Sequence, residues 1–73
     1  MTIGERAAQE IRNRVGTAGT LKAELERLEC HYDNFRQWGK CNLNPSAYAL
    51  RSMALHGYDV YYILTGEKIA HET

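Results

Sequence analysis

Eleven residues, CHYDNFRQWGK at positions 30–40, concentrate the side chains that could do chemistry. Cys30, His31 and Cys41 invite a metal ion. A structural zinc site, however, takes a full tetrahedral set of ligands, usually with closely spaced cysteine pairs, and ten residues separate these two. Either cysteine with His31, His56 or His71 could make a thiolate nucleophile, but nothing supplies an orienting third group or an oxyanion site. No glycine-rich loop is present to cradle a phosphate. The expectation is therefore no catalytic residue, no metal, no cofactor and no small-molecule ligand. What is left is hydrogen bonding. Tyr32, Phe35 and Trp38 recur every three residues and can make one side of a helix apolar, while Asp33, Asn34, Arg36 and Gln37 lie between them.

Such a face needs a scaffold, and the rest of the chain reads as helices. Thr2 and Glu5 have capping-box spacing, Ile3, Ala7, Ile11 and Val15 recur every four residues, and Gly16 ends the run. In a second helix Thr20 is the N-cap, Gly19 lets the chain turn, and Leu21, Leu25 and Leu28 line a face. Glu24 and Arg27 pair on its surface. The opening stretch makes a third helix over roughly 31–39, closed near Gly39. Asn44 or Ser46 caps a fourth, with Pro45 in its first turn. Its expected buried stripe is Ala47, Leu50, Ala54 and Leu55, with Met53 at the edge and Gly57 as the stop. Asp59 caps a short fifth helix in which Val60, Ile63 and Leu64 close the core, and Gly66 ends it. The segment YDVYYIL is β-prone, but a lone strand would have no partner. The expectation is one all-α domain of four to five helices over residues 1–66, with 67–73 as a frayed tail.

At 73 residues, 44% hydrophobic and 25% charged, the chain is an ordinary globular domain with little room for a deep cleft. No apolar run suits a membrane or a signal peptide, so a reduced, cytoplasmic setting is expected. The formal net charge is zero, which argues against binding polyanions by bulk electrostatics. The charge is nonetheless uneven. Residues 1–51 carry eight Lys/Arg against six Asp/Glu, and residues 52–73 carry one against three.

A second helix, a short connection and a third helix in a domain of this size suggest a helix-turn-helix. From IGERAAQEIRNR to the closing GYDVYYILTGEK, the chain resembles the DNA-binding domains of the lambda-repressor-like (Cro/XRE-type) phage regulators. The ending is the most specific part, similar to a family pattern G-x-D-V-x-Y-[IV]-L-T-G. Phe35 and Trp38 match the buried positions of the family's recognition helix, Cys30 the small position after the turn, and Leu28 the apolar one before it. Three positions depart. Glu29 stands where the family has glycine, Leu25 where it has a small residue, and Glu24 where it has an apolar one. A non-glycine residue held left-handed at Glu29 costs roughly 1–2 kcal/mol.

The resemblance implies an operator-binding regulator that represses by occupying a promoter as a homodimer. His31, Tyr32, Asp33, Asn34, Arg36 and Gln37 would face the major groove. Arginine suits guanine, amides suit adenine, aspartate accepts from cytosine, and tyrosine can contact phosphate. Thr20 and Lys22 are either phosphate contacts or a plain cap and a solvated lysine, and Lys40 is open in the same way. Arg12 and Arg14 read as plain surface. Tyr58, Val60, Tyr61 and Leu64 are the expected dimer contact, since the tyrosines of so short a turn cannot all be buried. The other reading is a protein-binding module, antirepressor-like, that keeps this fold without binding DNA.

Overall fold

The computed structural model describes residues 1–16, 20–40 and 43–68. Gly19, Cys41, His71 and the tail from residue 69 lie outside the described residues. The order is α1 (Ile3–Val15), α2 (Leu21–Arg27), α3 (Tyr32–Lys40), α4 (Ala47–Leu55) and α5 (Val60–Thr65), and no strand occurs among the described residues.

Helix α1 organises the rest. Its start is the expected capping box: Thr2 Oγ1 accepts from the Glu5 N–H at 3.0 Å, and Glu5 Oε1 accepts from the Thr2 N–H at 2.8 Å. Gly4, Ala7, Ala8 and Ile11 are buried, with Ile3 and Val15 half-buried at the ends of the stripe. Against this face pack α2, α3 and α5, while α4 packs on α5. The core is Leu25 and Leu28 from the second helix and its cap, Phe35 and Trp38 from the third, Met53, Tyr58 and Ile63.

Two arginines of α1 hold the C-terminal ends of other helices, where carbonyls lack partners. Arg6 donates from Nε to the Ile63 carbonyl at 2.8 Å and from Nη2 to that of Leu64 at 3.3 Å. Arg14 donates to the His56 carbonyl and, at 2.9 Å, to that of Gly57, with its guanidinium 3.8 Å above the Tyr58 ring. Arg14 is therefore not the plain surface residue that amphipathicity suggests. Arg12 remains exposed, 5.1 Å from the Phe35 ring centroid.

The second helix ends in a Schellman-type turn. The Glu29 N–H donates to the Glu26 carbonyl at 3.0 Å, and the Cys30 N–H donates back to that of Leu25 at 2.8 Å. This places Glu29 at φ 57°, the one non-glycine residue with positive φ among those described. The turn is thus kept with its strain, and the Glu29 carboxylate accepts the Tyr48 hydroxyl at 2.8 Å. Glu29→Gly is accordingly expected to stabilise the fold by about 0.5–1 kcal/mol, relief of strain outweighing one exposed hydrogen bond. Glu29→Ala, which keeps the strain and loses the bond, is expected to destabilise it. Urea melts of the pair give the two signs.

Helix α4 is turned differently from expectation. Ser46, not Asn44, is its cap, accepting from the Ala49 N–H at 3.1 Å, and the buried Pro45 precedes the helix instead of opening it. Ser52 and Met53 are buried, Ala49 and Leu50 half-buried, whereas Ala47, Ala54 and Leu55 face out, Leu55 with 66% of its surface exposed. The cause is a polar contact. Ser52 Oγ donates at 2.8 Å to the Leu28 carbonyl, an orphan acceptor at the end of α2, and α4 is rotated to deliver it.

Candidate nucleic-acid interface

Two aromatic side chains anchor α3. Phe35 and Trp38 are almost fully buried, edge to face with centroids 6.0 Å apart. Their burial decides the rest of the helix by periodicity: Tyr32, Asp33, Asn34, Arg36, Gln37 and Lys40 are all exposed, as is His31 just before it. Tyr32, which extends the apolar spacing in sequence, retains 55% of its surface. Thr20 and Lys22 are exposed at the start of the second helix. Thr20 does act as its N-cap, accepting from the Ala23 N–H at 3.2 Å, which leaves its hydroxyl proton available to another acceptor.

The turn that joins α2 to α3 is held by residues that sequence spacing did not single out. Tyr48 and Ser52, four apart on one face of α4, grip Glu29 and the Leu28 carbonyl. On the opposite side, Glu24 takes a bidentate contact from Arg27 at 3.1 and 2.8 Å and accepts the Tyr58 hydroxyl. Arg14 closes this network by stacking on Tyr58. The acid at Glu24, where the resembled family has an apolar residue, thus has a polar counterpart in Tyr58. Tyr58 is 7% exposed, and this corrects its expected place at an intersubunit surface: its ring fills the core and its hydroxyl is already bonded. Tyr61 and Leu64 do face out, with 47% and 44% exposed, and Val60 is half-buried. Leu64 therefore does not close the core as expected, and Ile63 alone of that trio is fully buried.

Comparisons of the chain with protein-family models, curated proteins and solved structures return no match.

The electrostatics assign roles within the network. The Arg27 guanidinium first, and the Tyr58 hydroxyl second, hold the Glu24 carboxyl below its ordinary range. Burial, then the bond to Glu24, pushes the Tyr58 phenol well up. Because its folded-state value is depressed, Glu24 stabilises the fold above its unfolded-state value near 4.5, and that contribution is lost as pH falls through the folded value. Glu24→Gln is thus expected to melt less steeply with acid than wild type below about pH 4.5 while being less stable at pH 7. Melting temperature against pH for both proteins is the measurement, and parallel curves would mean that the network does not stabilise the fold.

Burial likewise raises the Cys30 thiol, which keeps it protonated and weakens it as a nucleophile. Among the described residues, no group of three or more His, Cys, Asp or Glu is placed to hold a metal ion. Among them, too, no helix is long and apolar enough to cross a membrane.

Proposed function

We propose that this chain is a sequence-specific DNA-binding regulator of the lambda-repressor-like, Cro/XRE type, acting in the cytoplasm by occupying an operator through α3. One observation carries the reading. A nine-residue helix is pinned by two core aromatics, braced by a tight turn to a second helix, and offers base-compatible polar side chains along its whole outer side. A major groove accepts one helix of this kind, with the preceding helix crossing the backbone.

Arg36→Ala and Gln37→Ala are each expected to weaken specific binding by about 1–3 kcal/mol with unchanged thermal melts, since both side chains are exposed. The measurement is a gel shift, then fluorescence anisotropy, on duplex DNA flanking the gene. Equal affinity of both variants and wild type would exclude α3 as the reader. With acids such as Asp33 and Glu29 among its cations, the surface neutralises few phosphates, so affinity falls only shallowly with salt.

One half-site is too short to be selected against a genome's competing sites, and a two-fold dimer supplies the second. Tyr61 and Leu64 are the anchors for that contact, with Leu55 exposed on the helix packed against α5. Tighter binding to a palindrome than to a half-site, lost in Tyr61→Lys, is the corresponding result. The second reading, a protein-binding module on this fold, draws on the zero net charge and on Asp33 in the outer face. A folded protein with no affinity for any duplex favours it.

A further inference from the structure

The outer side of α3 is not chemically uniform. One edge, bearing Asn34 and Gln37, forms a wall of a groove of about 340 Å³, whose other wall comes from the α3–α4 connection and the start of α4. Asn44 and Leu43 line that second wall, and Glu29 also lines the groove. Arg36 and Lys40 are not among its lining residues, and neither is any other lysine or arginine among those described.

This lining selects among base edges. Guanine offers the major groove two acceptors, N7 and O6, and is read by the paired donors of arginine or lysine. The groove has no arginine or lysine to present such a fork; its amide N–H₂ groups, the Ser46 hydroxyl and His31 are separate donors, and the Glu29 carboxylate would repel the two acceptors. Adenine offers N7 as acceptor and N6–H₂ as donor, which a carboxamide meets bidentately. Asn34, Gln37 and Asn44 are three carboxamides, and Glu29 is a further acceptor for an amino group. The partner thymine carries a methyl group, for which the exposed Leu43 is a matching apolar contact.

We infer that the groove edge of α3, carrying Asn34 and Gln37 opposite Asn44, is an adenine-reading wall, so that the recognised half-site contains A·T pairs specified by these amides. Arg36, outside the groove, reads or anchors elsewhere. This rests on the DNA-binding reading above and adds to it the identity of the bases and a third reading residue, Asn44, from outside α3.

The experiment is selection of the full-length protein on a randomised duplex library, with sequencing of the bound pool. The wild type is expected to enrich a motif in which A·T exceeds G·C by about tenfold or more at one or more positions. Asn34→Ala and Gln37→Ala should each flatten the preference at one such position, and Gln37→Arg should turn its position towards guanine. Both positions are exposed, and a melt of each of the three variants confirms folding. An enriched motif whose A·T positions are indifferent to these substitutions, or that is G·C throughout, overturns the adenine wall and leaves DNA reading intact. A pool with no motif at all overturns both.

Discussion

Trp38→Ala is expected to strip the domain of about 3–5 kcal/mol, so that it melts far below wild type. The indole is 4% exposed, stacks edge-on with Phe35 and sits where α3 meets α1. Truncating a buried tryptophan costs about 3–5 kcal/mol, because the cavity it leaves collapses only in part. A domain of this size has a total stability on the order of 4–11 kcal/mol, so one such loss removes much of it. Far-UV circular dichroism with urea and thermal melts is the measurement, as the fluorophore itself is deleted. Trp38→Phe should recover part of the loss by refilling the site with a smaller ring. A Trp38→Ala protein that melted like wild type would mean that the indole holds nothing together and does not anchor α3.

The second expectation runs against helix propensity. Gly4 lies inside α1, where glycine is about 1 kcal/mol worse than alanine, so propensity alone has Gly4→Ala stabilising. The tertiary structure reverses the sign. A Cβ on Gly4 would stand 2.4 Å from the Leu43 carbonyl oxygen and 2.5 Å from that of Trp38. Both obstructing atoms are backbone, so neither can swing aside as a side chain would. Relief requires α1 to lift from the end of α3, which disturbs the packing of Trp38. The expected net cost is about 3 kcal/mol, at the upper end of what overpacking a tight contact brings. Urea denaturation of Gly4→Ala decides between the two signs. A stabilised variant would show that α1 and α3 are less closely apposed than this, and the register of the α3–α4 connection would fall with it.

These two residues mark different degrees of legibility. Trp38 could be assigned to the core from spacing, because a helix repeats its faces and two large aromatics three apart fall on one side. Gly4 could not, because a glycine in a helix looks the same in sequence whether it faces solvent or another backbone. The helix starts were legible for the same local reason as Trp38: Thr2, Thr20 and Asp59 cap within a few residues of themselves. Glu29 was singled out only through the resemblance, which has a glycine at its position; that the turn keeps the left-handed conformation came from the structure.

What periodicity misread was decided between elements. Helix α4 has apolar residues on more than one side, and the hydroxyl of Ser52 reaching the Leu28 carbonyl selects which side faces in. Tyr58 was assigned outwards because a short turn cannot bury all its tyrosines, but which one it buries depends on Glu24 and Arg14, 34 and 44 residues away in sequence. The outer face of α3 was likewise readable as a set of side chains, from the sequence by itself. That its amide edge shares a groove with Asn44, while Arg36 stands apart, is a consequence of where Leu43, Asn44 and Ser46 lie beside α3. Local chemistry thus determined the caps and the identity of the polar face. Orphan carbonyls seeking donors, and side chains meeting across long sequence separations, decided the rotation of α4, the burial of Tyr58 and the shape that face presents.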